Sequence, residues 1–232
     1  MTKRLVVYAE GQTEELFVNR ILRNHLALHG VTVERPVLAA TSREATGQRG
    51  GFVNWEAVEF DLRRIFADNA DPQLRITTLL DAYAMPTTMP GYEASVGNHR
   101  SPESIDRIEA VWLRHFNEPR FVPYLQRHEF EALVLADCDA LKIVFPTYSV
   151  QIDALAQSIA GFASAEDVND GPNTHPSARL RTTIPGYDMR KPDHALFILQ
   201  QADMPKTRLA CPRFNAWLHQ WENWGHDSDS GS

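Results

Sequence analysis

Apolar, β-branched runs that alternate with helix-period segments predict an α/β fold: a mainly parallel sheet flanked by helices, with a helical C-terminal portion. Three observations carry this. Lys3 to Ala9 (KRLVVYA) is a buried-strand pattern followed at once by an amphipathic stretch, Leu74 to Leu80 (LRITTLL) repeats the strand pattern, and beyond residue 140 only helix-like segments recur.

The elements follow in order. Thr13 to His29 has helical spacing, with Leu16, Phe17, Ile21, Leu22 and Leu26 facing inward. Val31 to Leu38 reads as a second strand. The segment ATSREATGQRGGFVNW has glycine and arginine but no periodicity and reads as a loop. Val53 to Ala67 resumes helical spacing, and after Leu74 to Leu80 comes AYAMPTTMPGYEA, a loop punctuated by Pro86, Pro90 and Gly91. Ser101 and Pro102 open a helix to Phe116, with Glu103 near the positive end of its dipole. Phe121 to Gln126 is a further strand. Later helices are expected around Val150 to Ala163, His194 to Ala202 and Pro212 to Trp224, with NDGPNTHPSARL a proline-rich loop between the first two. Residues 1–140 form the expected core, 141–224 a mainly helical portion completing the same domain, and 225–232 (GHDSDSGS) a disordered tail.

Composition narrows the setting. The chain has 232 residues, 43% hydrophobic and 23% charged, enough to bury a sizeable core. A formal charge of −7 argues against a globally basic nucleic-acid binder, though not against a local basic groove or a phosphate ligand bridged by divalent metal. Two cysteines, Cys138 and Cys211, make neither a metal cluster nor a disulfide framework; they read as inert thiols in a reducing cytoplasm. No run is apolar enough for a membrane span, and no signal peptide is recognisable, so the expected location is cytoplasmic.

Glu10, Asp81 and the pair Glu129 and Glu131 each follow a strand pattern. In an open α/β sheet, ligands gather at the carboxyl ends of the strands. Neighbouring parallel strands would bring these acids to one edge, where like charges stay ionised cheaply only around a cation. An all-oxygen set suits Mg²⁺ or Mn²⁺ better than zinc. Glu129 and Glu131 share one side if the chain there is extended, and point apart if a helix has begun. Glu14 and Glu15 would stabilise any helix N-terminus after a Thr13 cap. Phe214, Trp217, Trp221 and Trp224 recur at helical spacing as core or as a partner-docking face. In the GQRGGF loop, Gly47, Gly50 and Gly51 with Arg43 and Arg49 would let backbone approach a substrate strand. There is no GxxxxGK[ST] and no GxGxxG, so any use of ATP falls to a partner.

EGQTE after an apolar strand resembles the EGxTE signature of Toprim domains of the OLD nuclease type, and Asp81 resembles the first acid of their DxD motif. The closer resemblance is to the Toprim-like domain-of-unknown-function family 4276, carried by EGQTE, DAYAMP, QRHEFEALVLAD, PSARL and CPRFNAWL. It implies a Toprim-like sheet and metal-dependent phosphodiester hydrolysis of DNA or RNA, with DNA the expected substrate. It also implies a role in anti-phage defence beside a separately encoded ATPase. Glu10 and Glu14 match the first motif and Asp81 the second, while Tyr83 stands where the second DxD acid belongs. The expected metal ligands are Glu10, Asp81 and Glu129, with Glu129 or Glu131 standing in for the missing acid. Glu14 is a ligand to a second ion or a general base, and His128 a proton donor. Arg179 and Lys191 are the phosphate-holding candidates. The alternative is a catalytically weak nucleotide- or nucleic-acid-binding subunit of an ATPase. The aromatic last helix is a natural surface for such a partner or for a homodimer.

Overall fold

In the computed structural model, residues 2–39, 54–68, 71–83, 85–92, 101–169 and 173–226 are described. The chain divides into two compact units, Met1–Leu125 with His219–Ser232, and Gln126–Leu218.

The first unit is built on a mainly parallel sheet. β1 (Lys3–Ala9) runs beside β2 (Val31–Val33) and β3 (Val37–Leu38) on one side and β4 (Leu74–Asp81) on the other, all parallel; β5 (Phe121–Val122) lies beyond β4, also parallel. β6 (Leu125–Gln126) also pairs with β4 and completes six strands, at the unit's boundary. Two expected strands are each broken by a proline, which has no N–H to give a ladder. Pro36 separates β2 from β3, and the Glu34 N–H still reaches the Leu5 carbonyl at 2.8 Å. Pro123 separates β5 from β6, and the buried Thr78 hydroxyl bridges the gap: it donates to the Tyr124 carbonyl at 2.7 Å and accepts from the Tyr124 N–H at 2.8 Å.

The expected helix after β1 forms as α1 (Gln12–Phe17), a π-helical turn over Val18–Leu22, and α2 (Arg23–Ala27). The wider turn rotates the apolar stripe, so Val18 is fully buried while Leu16 and Ile21 are only partly so. α3 (Trp55–Asp68) and α4 (Pro102–Phe116) bury Trp55, Leu62, Ile105, Ile108 and Trp112 against Val6, Tyr8, Ile76 and Leu80. α4 starts as the sequence predicts: Ser101 Oγ accepts the Ser104 N–H at 3.2 Å, Pro102 follows, and Asn117 ends the helix at φ 47°.

The second unit is helical. α5 (Glu131–Leu135), α6 (Cys138–Val144), α7 (Ser149–Ile159), α8 (Pro176–Thr183), α9 (Lys191–Gln201) and α10 (Met204–Ala210) precede α11 (Pro212–His226), whose last turns from His219 belong to the first unit. PSARL, expected in a loop, is instead the start of α8: Pro176 occupies the first helical position, where its missing N–H costs nothing. Phe214, Trp217 and Trp221 are buried, so they are core. Gly225 and His226, read as tail, close α11; residues 227–232 lie outside the described residues. No helix among the described residues is long and apolar enough to cross a membrane.

Candidate functional site

β1 is followed by β2 on one side, while the chain after β4 moves to β5 on the other. The carboxyl ends of β1 and β4 therefore flank a topological switch point, the place where an open α/β sheet offers a crevice. Glu10 is the residue after β1 and Asp81 the last of β4. They adjoin: the Asp81 N–H donates to Glu10 Oε2 at 2.7 Å, and the Glu10 N–H donates to the Leu79 carbonyl at 3.1 Å. Both residues are partly exposed.

Glu14 is buried and turned toward its own helix terminus. Its Oε2 accepts the Gly11 N–H at 2.9 Å, half of a capping box, which fixes the turn that carries Glu10. Tyr83 lies two residues past the strand end, as expected. One strand away, the buried Tyr8 hydroxyl donates to Asp61 Oδ2 at 3.0 Å; burial and the Asp61 charge push the phenol pKa up, so Tyr8 stays neutral. Asp61 has no signal in the sequence beyond being an acid on the inner face of α3.

His128, Glu129, Glu131, Arg179 and Lys191 belong to the second unit. His128 takes a left-handed backbone (φ 60°), uncommon for a residue with a Cβ, and is buried with Nδ1 3.2 Å from Asn169 Nδ2. Against an amide donor Nδ1 is the acceptor, which places the ring proton on Nε2. The turn at His128 ends the extended segment and α5 starts at Glu131, so Glu129 and Glu131 have different direct partners, although the Glu129 charge still acts on Glu131.

Glu129 holds the start of α8. Its Oε2 accepts the Ser177 N–H at 2.8 Å and lies 3.0 Å from His175 Nδ1, while the Ser177 hydroxyl donates to Oε1 at 3.0 Å. Two of the motif segments, QRHEFEALVLAD and PSARL, meet through this carboxylate. The Ser177 N–H and hydroxyl at the start of α8 thus gather at this buried carboxylate, with the His175 ring as a third polar contact. His175 and Ser177 escape sequence reasoning because they sit in what reads as a loop.

Glu131 is 1% exposed, and the Lys191 ammonium lies 2.9 Å from its Oε1, an ion pair rather than a well-directed hydrogen bond. Burial pushes the Glu131 carboxyl pKa up, and the Lys191 charge only partly opposes this. Arg179 donates through Nε to the Thr174 carbonyl at 2.7 Å, with its guanidinium over the Phe162 ring. Lys191 and Arg179 thus have local partners of their own. Arg43, Arg49, Gly47, Gly50 and Gly51 lie outside the described residues.

Glu166 is a buried acid with a structural role. Glu166 accepts the Arg213 and Phe214 N–H groups at 2.8 and 3.0 Å and so caps α11. Burial pushes the Cys138 thiol up to about 11 and raises that of Cys211 as well, which keeps both protonated and unreactive.

Neither the curated proteins nor the solved structures include a match to this chain. One family model does match, over residues 9–222: Domain of unknown function (DUF4276). That span takes in the strand-end acids Glu10 and Asp81, the Glu129 anchor of PSARL, and Glu166 with the helix it caps. The chain therefore belongs to the DUF4276 family.

Proposed function

We propose that the protein is a divalent-metal-dependent phosphodiesterase acting on nucleic acid, with Glu10 and Asp81 as the metal-holding pair. The observation that carries this reading is their juxtaposition at the switch point, fixed by the 2.7 Å contact between the Asp81 N–H and the Glu10 carboxylate. Mg²⁺ is commonly bound by one or two carboxylates, with water and substrate phosphate completing its shell, so a pair of strand-end acids fits it. Bound there, the ion would supply charge neutralisation on the phosphoryl oxygens and a water of lowered pKa. Glu10 and Asp81 set its place, and Glu14 keeps Glu10 aimed by holding the turn at Gly11. The resemblance of EGQTE and Asp81 to Toprim motifs supports the same chemistry.

The second reading, a binding subunit for an ATPase partner, is favoured by two features of the site. Tyr83 stands at the second acid position, and Glu129 is committed to α8. Calorimetric titration of Mg²⁺ and Mn²⁺ into wild type and Asp81→Asn, with plasmid nicking under the same conditions, separates the two. Metal binding and nicking that are both lost in the variant support the phosphodiesterase. Binding without nicking points to a missing partner or activator, and no saturable binding removes the phosphodiesterase reading and leaves the subunit.

A further inference from the structure

At the opposite end of the strands from Glu10 and Asp81, three histidines lie about one buried carboxylate, and a fourth lies against one of them. α2 ends just before β2 begins at Val31, so His25 and His29 lie at the amino ends of the strands. The end of α11 packs there too: the Lys3 ammonium donates to the Trp224 carbonyl, and Gly225 lies so close to His29 that a Cβ would overlap the His29 carbonyl. Two helix faces are thereby locked together. His25 lies on α2 and His29 in the turn that follows it, while His219, Glu222 and His226 are spaced i, i+3, i+7 on α11.

The donor atoms converge. Glu222 is buried, and its Oε1 lies 2.6 Å from His25 Nε2 and 3.9 Å from His29 Nε2. His219 Nδ1 is 3.4 Å from Oε2. Among the described residues, His25, His29 and Glu222 form the group of His, Cys, Asp or Glu whose ligand atoms all lie within 4.8 Å of one another. Ligand atoms about a tetrahedral ion with bonds near 2.0–2.1 Å stand about 3.4 Å apart, a value the two Glu222 contacts bracket. The side chains of His25 and His29 are 22% and 27% exposed, so the rings can adjust and an ion can enter.

Beyond the ligands, His29 Nδ1 lies 2.9 Å from His226 Nε2. When Nδ1 donates that bond, the Nε2 lone pair faces the Glu222 carboxylate. A cation between them satisfies both groups, and the second ring orients the first as outer partners of metal-bound histidines do.

We infer that His25, His29 and Glu222 form a binding site for a borderline divalent transition metal, Zn²⁺ above all, that clamps the end of α11 to α2. The imidazole-rich donor set selects against Mg²⁺ and distinguishes this site from the carboxylate pair. A position remains for water or for His219 as the fourth ligand.

The test uses the full chain stripped with chelator. Co²⁺ is titrated in, the visible absorption of tetrahedral Co²⁺ is followed, and Zn²⁺ is then added to displace it. Melting temperature is recorded with and without Zn²⁺, and circular dichroism reports the fold of each variant. The expected result is one tetrahedral Co²⁺ per chain by its visible absorption, displaced by Zn²⁺ but not by Mg²⁺, with a melting temperature raised by several degrees. Folded His25→Ala and His29→Ala should each lose the signal and the shift, whereas Asp81→Asn should retain both. Absence of saturable binding overturns the site, as does binding by both histidine variants equal to wild type. Because Asp81→Asn is read in parallel, failure here stays separate from failure of the carboxylate pair.

Discussion

The Asp81 backbone N–H donates to the Glu10 carboxylate at 2.7 Å, joining the ends of two adjacent parallel strands by a side chain rather than by the ladder. The contact continues the β1–β4 pairing one step past Ala9 and Leu79, the last paired residues. It also fixes the rotamer of an acid at the mouth of a crevice, which is how a site on rigid strands keeps its geometry.

Glu10→Gln and Glu10→Ala should therefore differ. Gln keeps an oxygen to accept the Asp81 N–H, so the fold should be as stable as wild type. Ala removes the acceptor and should cost roughly 1 kcal/mol. Both remove the charge, and both should weaken Mn²⁺ binding by at least about the 10–100-fold that loss of even an outer partner costs. Urea melts and calorimetry of the two variants check this; wild-type Mn²⁺ affinity in both would remove Glu10 from the metal set.

Glu129 should behave differently. Its carboxylate serves Ser177 and His175, so Glu129→Ala leaves the Ser177 N–H and hydroxyl and the His175 ring without their buried acceptor. The expected loss is about 2–3 kcal/mol of stability, seen as a lower urea midpoint. A metal ligand would give the opposite pattern: unchanged midpoint and lost Mn²⁺ affinity.

The first unit is largely legible in the sequence because its signals are local. The limits of β1 coincide with the expected Lys3 to Ala9, Ser101 and Pro102 start α4, and an acid at each strand end needs only the strand to be placed. Pro36 and Pro123 are visible too, but a broken strand and a continuous one share the same apolar pattern. The second unit is harder. PSARL is short, polar and led by proline, and its helix is stabilised by Glu129, 48 residues earlier in sequence, a partner that no periodicity announces. The His25, His29 and Glu222 cluster follows the same logic: His25 and His29 are near each other in sequence, but only the fold brings Glu222 of α11 beside them.

Stability should carry a pH dependence from Glu131. Its carboxyl pKa is raised by burial above the usual glutamate value of 4.5. Below that value the group is protonated in folded and unfolded chains alike, and burial costs nothing. As pH rises through the raised folded value, the unfolded chain releases the proton more readily, so this contribution is lost. Relative to wild type, Glu131→Gln should gain stability as pH rises above 4.5, and Lys191→Met should make the wild-type trend steeper. Urea midpoints at a series of pH values measure both; parallel profiles for wild type and Glu131→Gln would show that Glu131 does not titrate in this way.

Gly225 is the position where the smallest change should have a large effect. A methyl group there would overlap the His29 carbonyl and press on Val31 Cγ2 at 3.1 Å. Backbone cannot swing aside as a side-chain tip can, so Gly225→Ala must push the end of α11 off the α2–β2 turn. Overpacking of this kind costs about 1–3 kcal/mol, offset only slightly by the better helix propensity of alanine. The melting temperature should fall by several degrees. If the histidine cluster holds zinc, added Zn²⁺ should also protect the variant less than wild type, because the displaced helix carries Glu222 and His226 away from His25 and His29. Asn223 is exposed on the same last turns of α11, so Asn223→Ala changes helix propensity without meeting the α2–β2 turn. That variant is the matched control and should leave both the melting temperature and the zinc response unchanged; an equal loss in both variants would trace the effect to the helix itself rather than to the contact with His29.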